Sequence, residues 1–149
     1  MSARAANAGP PDTGLVLVDT SVWVQFFRLP ASPEAGLLDE LLATVSVATC
    51  APIRAEVVSG APTSRDFRQL RDLFGALVDL ALPADLWDRL ETYRFALARR
   101  GDQTSLVDLM IALTAQAYRV ALWTLDADFT RISSVVPFRV YRPHLAAAP

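Results

Sequence analysis

The chain has no lysine, and all 14 of its basic residues are arginine. A Walker-type phosphate loop, a Schiff-base enzyme and a response-regulator receiver site each need a lysine, so all three are excluded. Histidine is almost as scarce. The single copy, His144, stands five residues from the end, which leaves no ligand set for a histidine zinc site and no base for a Ser-His-Asp triad. Cysteine also occurs once, at Cys50, so no internal disulfide is expected and a reducing cytoplasm suits the chain. No uninterrupted apolar run approaches the roughly 18 residues of a membrane span. Met1–Gly14 is small and polar without an apolar centre, so it reads as a flexible leader and not as a signal peptide.

Apolar residues are plentiful: 52% of the 149 residues are hydrophobic and the mean hydropathy is +0.28, enough for one core. A single domain over residues 15–149 is expected. Carboxylates are the reactive groups present in number, with 12 aspartates and 4 glutamates. If the chain is an enzyme, its working groups are expected to be carboxylates, a donor type that suits a hard metal ion. A formal net charge of −2 gives no global basic footprint for nucleic acid, so such binding needs a local patch or a metal.

Strand and helix signals alternate along the chain. Apolar runs at Leu15–Val18, Val45–Cys50, Leu77–Leu80, Val120–Thr124 and Phe138–Tyr141 read as strands. Helices are expected over Thr20–Arg28, Ala35–Thr44 (opened by Ser32-Pro33-Glu34), Pro52–Ser59, Thr63–Gly75, Pro83–Arg100, Ser105–Arg119 and Ala127–Ser133. Thr63-x-x-Asp66 has the spacing of a capping box, as has Ser105-x-x-Asp108. Such alternation predicts a three-layer α/β/α domain with a central, mainly parallel sheet, and ligands at the carboxyl ends of its strands.

Several acids fall near those ends. Asp19 follows Leu-Val-Leu-Val, either as the N-cap of the next helix or as a site residue; Thr20 and Ser21 could also cap. Glu56 has Ile53, Val57 and Gly60 as helical neighbours and so shares an apolar edge, unless it is a surface residue paired with Arg54. Asp108 lies in SLVDLMIALTAQAYRV, apolar on nearly every face, so burial is expected; the capping box offers a second reason for an acid there. Asp126 and Asp128 follow the strand ending in Trp123-Thr124-Leu125, and either could cap the short helix ahead; Asp126, nearer the strand end, is preferred for a site. Converging carboxylates repel and raise one another's pKa unless a cation neutralises them. An oxygen-only donor set favours Mg²⁺ or Mn²⁺ and suits phosphodiester hydrolysis.

The segments LVDTSVWVQFF around Asp19, AEVVSG around Glu56, SLVDLMIALTA around Asp108 and LWTLDADF around Asp126 resemble the PIN-domain family, specifically VapC-type toxins, in the same order and over nearly the whole chain after the leader. The resemblance implies an α/β nuclease that cleaves RNA with Mg²⁺ or Mn²⁺ and is silenced by a cognate VapB-like antitoxin, one of whose arginines enters the acidic pocket. It implies Asp19, Glu56 and Asp108 as the three core acids and Asp126 as the fourth, with Asp128 the other candidate offered by Asp-Ala-Asp. Ser21 matches the small polar position that supports the metal-site network, and Thr124 the hydroxyl before the fourth acid. Trp23 is expected to pack in the core and not to stack on a base.

Arg65, Arg68 and Arg71 recur every three residues on one helix, and Arg99-Arg100 end another. They read first as a solvated face balanced by Asp66 and Asp72, and second as a surface that positions RNA phosphates. Val22, Trp23, Phe26, Phe27, Leu37, Leu38, Leu41 and Leu42 exceed what a small core needs, so part of this set is expected to form a homodimer face or an antitoxin groove. A haloacid-dehalogenase-like phosphatase would need Asp-x-Asp after the first strand and a lysine later, and this chain has neither. The remaining alternative is a catalytically silent PIN-like domain that binds RNA or a partner protein.

Overall fold

The structure, a computed structural model, describes residues 13–144; most of the predicted leader lies outside the described residues. Five short strands form one sheet: β1 (Val16–Val18), β2 (Val47–Thr49), β3 (Val78–Asp79), β4 (Ala121–Trp123) and β5 (Arg139–Val140). Seven helices separate them: α1 (Thr20–Arg28), α2 (Pro33–Ala43), α3 (Ala51–Ser59), α4 (Ser64–Gly75), α5 (Leu86–Arg99), α6 (Leu106–Tyr118) and α7 (Asp128–Ser133). The strand order is β3-β2-β1-β4-β5 and every pairing is parallel, with Leu17 opposite Ala48 on one side and Leu122 on the other. All residues of β1, β2 and β4 are buried, as apolar strands of a sheet covered on both faces must be.

Chain order explains where a site belongs. From β1 the chain moves outward through β2 to β3, then returns to the opposite side of β1 to form β4 and β5. The order therefore reverses between β1 and β4, and the crevice at a reversal of this kind opens at the carboxyl ends of the two strands. Right-handed crossovers carry the two groups of helices to opposite faces. Accordingly α1 packs on α2 and α3, and α3 on α4, while α5 packs on α6 and α6 on α7.

Trp23 is fully buried, 4.8 Å from the Phe74 ring centre, as expected of a core residue. Val22 and Leu38 are buried as well, and Phe26, Leu37, Leu41 and Leu42 pack against the core. Of the apolar set expected to be in surplus, Phe27 is the member left exposed. Further exposed apolar residues stand on α5 and at the first position of α6: Trp87, Phe95 and Leu106. Cys50 is a buried free thiol, its pKa pushed up to about 12 chiefly by burial, so it stays protonated.

Two boundaries differ from expectation for local reasons. α5 begins at Leu86, three residues after Pro83, because Asp85 makes no side-chain cap and Pro83 and Ala84 remain outside the helix. The second strand starts at Val47 and not at Val45, because Val45 terminates α2 in the left-handed region at φ 55°. A β-branched side chain is strained there, and Val45 is 70% exposed, so it recovers little by burial. Val45→Gly should stabilise the protein by about 1 kcal/mol, raising the urea midpoint without changing the m-value. A lowered midpoint would contradict the strain at this position.

Candidate active site and metal centre

Asp19 ends β1 and caps α1. Its backbone N–H donates to the Trp123 carbonyl at 2.9 Å, extending the β1–β4 ladder by one bond, and its carbonyl accepts from Val22 at 3.0 Å. The carboxylate is buried, 4% exposed, and a buried charge is costly unless hydrogen-bonded. Oδ2 accepts from Ser21 Oγ at 2.7 Å, from Thr124 Oγ1 at 2.9 Å and from the Ser21 backbone N–H at 3.4 Å. The capping and site readings of Asp19 are therefore compatible: one oxygen holds the cap and the network, and the other is left to a cation.

The same network reaches the exit of β4. Ser21 Oγ accepts from the Leu125 N–H at 2.9 Å, and Thr124 Oγ1 accepts from the Asp126 N–H at 3.0 Å. Asp126 Oδ1 in turn accepts from the Asp128 N–H at 2.9 Å. Asp126 thus braces the turn into α7 from just outside it; the N-cap of that helix is Ala127, which has no side-chain cap bond, so neither Asp126 nor Asp128 takes the capping position considered for it. Asp126, nearer the end of β4, is the acid preferred from sequence and Asp128 the other candidate; the structure brings both into one cluster. Asp108, Asp126 and Asp128 each offer a carboxylate oxygen, and the three oxygens lie within 4.8 Å of one another.

Asp108 occupies the first turn of α6, where Ser105 Oγ accepts from the Val107 and Asp108 N–H groups at 3.1 and 3.4 Å. It is half-buried and not a core residue, because it points out of the helix start at the crevice while Leu109, Ile111 and Ala112 take the buried faces. Burial, followed by the charges of Asp19, Asp126, Glu56 and Asp128, pushes its carboxyl from 3.8 up to about 6. Every charged neighbour in that set is another carboxylate.

Glu56 departs most from expectation. It is exposed on α3 and does not share the buried edge formed by Ile53 and Val57. Its partner is the Thr20 hydroxyl and not Arg54. It approaches the other acids closely enough to act on Asp108, yet it stands outside the 4.8 Å group, as does Asp19. Two further neighbours were missed from sequence. Thr20 was weighed only as a cap, and Arg131 was not considered, although its i, i+3 spacing from Asp128 on a helix is a readable signal. Its guanidinium lies 3.9 Å from Asp128 Oδ1.

Arg65, Arg68 and Arg71 are all exposed on α4, and Arg71 lies over the Phe67 ring at 5.8 Å. They are not among the residues that α4 contributes to the neighbouring cleft, namely Asp66, Gln69, Leu70 and Leu73. Arg100 donates to Ser134 Oγ at 3.2 Å, tying the end of α5 to α7.

The donor set fits a hard divalent cation. It is all oxygen, its charges are mutually repulsive, and burial together with the neighbouring carboxylates pushes one member towards protonation. A PIN-domain family model matches residues 16–135, and the chain belongs to that family. Among similar proteins, ribonuclease VapC11 of Mycobacterium tuberculosis is 31% identical over 125 residues, covering 81% of this chain and 93% of that protein. Two solved structures share the fold. One is VapBC-1 from nontypeable Haemophilus influenzae, with a TM-score of 0.68, 19% identity and coverage of 85% and 96% of the two chains. The other is Mycobacterium tuberculosis VapC20, described as a sarcin-ricin loop cleaving toxin, with a TM-score of 0.60, 20% identity and coverage of 86% and 99%. Among the described residues, no helix is long and apolar enough to cross a membrane.

The raised Asp108 carboxyl has a consequence for stability. Between about pH 4 and 6 the folded protein keeps a proton that the unfolded chain has released, so stability falls as pH rises through that window. Asp108→Asn should raise the melting temperature of the metal-free protein at pH 7.5, by roughly 2–4 °C for each kcal/mol of repulsion relieved, and should do so much less at pH 4. Equal destabilisation at both pH values would contradict the repulsion.

Proposed function

We propose that the chain is an endoribonuclease that hydrolyses RNA phosphodiester bonds with Mg²⁺ or Mn²⁺, the toxin half of a VapBC-like pair. The observation that carries this reading is the cluster of Asp108, Asp126 and Asp128, with Asp19 and Glu56 near enough to join burial in raising the Asp108 carboxyl. The identity to a VapC ribonuclease over most of both chains supports the reaction class.

Asp108, Asp126 and Asp128 would hold the cation, with the free oxygen of Asp19 and the carboxylate of Glu56 completing the site directly or through water. A bound divalent ion supplies positive charge at the scissile phosphate and lowers the pKa of the attacking water. Ser21 and Thr124 orient Asp19 by donating to the oxygen that faces away from this task. Arg131, paired with Asp128, stands where a phosphate oxygen can exchange for that carboxylate. Arg65, Arg68 and Arg71 offer a second row of backbone contacts along α4.

The antitoxin partner is assigned to a cleft of 670 Å³ between α1, α3 and α4, lined by Val24, Phe27, Val57, Leu70 and Leu73 and by the acids Glu56 and Asp66. An apolar lining with acids in it suits an amphipathic segment that carries an arginine into the site. The exposed Trp87 and Phe95 on α5, and not the apolar residues of α1 and α2, are the candidate homodimer face. A cytoplasmic location accords with the single buried thiol.

Antitoxin-free protein should cut total RNA into discrete fragments with Mg²⁺ or Mn²⁺. Asp19→Asn should lower the cleavage rate by at least about 100-fold, and EDTA should abolish it. Cleavage that survives in Asp19→Asn would contradict the assignment. RNA or partner binding without cleavage under either metal would establish the catalytically silent alternative.

A further inference from the structure

We infer that Thr20 is the positioning residue that holds Glu56 at the acidic site, an assignment that rests on the metal-dependent reading above. Glu56 is exposed on α3, and a long side chain in that setting is ordinarily free to turn into solvent. Here the charges of the other acids push it in the same direction, since Glu56 is near enough to act on Asp108. Against both tendencies, Thr20 Oγ1 donates to Glu56 Oε2 at 2.6 Å, a short charge-assisted hydrogen bond across 36 residues of sequence.

The donor is well placed. Thr20 is the first residue of α1 and directly follows Asp19, whose N–H is bonded to Trp123. A β-branched side chain at that position has few rotamers, so the hydroxyl is fixed relative to Asp19. Nor is it needed for the helix. Asp19 is the N-cap of α1 and accepts the Ser21 N–H itself. The Thr20 hydroxyl is therefore free for Glu56. It engages one carboxylate oxygen, Oε2, and leaves Oε1 for a cation. Thr20 and Glu56 both line the cleft between α1, α3 and α4.

Calorimetric titration of the full chain with Mn²⁺ tests this without recourse to activity, with circular dichroism melts as the check on folding. Thr20→Val removes the hydroxyl at constant shape and should weaken Mn²⁺ binding roughly 10-fold. Thr20→Ser keeps the donor and should stay within about 2-fold. In a Glu56→Gln background, Thr20→Val should cost little more, because the acceptor charge is already gone. If Thr20→Val disturbs folding, Thr20→Ala replaces it in the same cycle. Wild-type binding that Thr20→Val leaves unchanged, or weakens equally in the Glu56→Gln background, would overturn the role of Thr20 alone. A wild-type protein that takes up neither Mn²⁺ nor Mg²⁺ would overturn the metal reading, and the assignment of Thr20 with it.

Discussion

The burial of one anion, the Asp19 carboxylate, organises this end of the molecule. A charge removed from water must find donors, and Asp19 finds them on two elements that are about a hundred residues apart in sequence. Ser21 belongs to the first turn of α1 and Thr124 to the exit of β4, and both hydroxyls donate to the same oxygen. Because Ser21 and Thr124 also accept the Leu125 and Asp126 N–H groups, satisfying Asp19 fixes the backbone path that leads to Asp126 and Asp128. A continuous set of hydrogen bonds thus runs from the buried end of β1 to the exposed start of α7. Ser105 makes the corresponding arrangement on α6 by capping the helix at the turn that carries Asp108.

Packing and hydrogen bonding therefore force together groups that electrostatics alone would separate. The cost appears at Asp108, whose carboxyl is pushed up to about 6 by burial and by the carboxylates around it. Folded proteins carry strained features of this kind where function needs them, and the stability is recovered elsewhere. The fully buried strands β1, β2 and β4 and the Trp23–Phe74 contact supply that recovery here. Under the proposed function, a cation would relieve this repulsion and supply the chemistry of phosphodiester hydrolysis at the same place.

The order of strands and helices was legible because each strand is a short apolar run and several helices carry their own start signal. Ser32, Thr63 and Ser105 all accept the N–H bonds that their spacing foretold. Legibility stopped where a residue's conformation depends on chain direction and not on hydropathy. Val45 reads as strand and is a left-handed helix terminus. The acids could be named because charged residues beside strand ends stand out against apolar surroundings. Their partners could not. The Thr20–Glu56 bond joins α1 to α3, and the exposure of Glu56 depends on how α3 is rotated against the sheet, which the neighbouring Ile53 and Val57 did not reveal. Of the apolar residues counted along α1 and α2, Val22, Trp23 and Leu38 are taken up by the core and Phe27 is left exposed, a division that depends on how the two helices pack.

The most direct measurement is a carbon-detected NMR titration of the Asp108 side-chain carboxyl, with and without Mg²⁺. Crowded carboxylates that await a cation require an apparent pKa of about 6 in the metal-free protein, and a fall below the ordinary aspartate value of about 4 when Mg²⁺ is present. A carboxyl that titrates near the ordinary value and ignores Mg²⁺ would show that these acids neither repel one another nor share an ion, and the proposed metal centre would not stand.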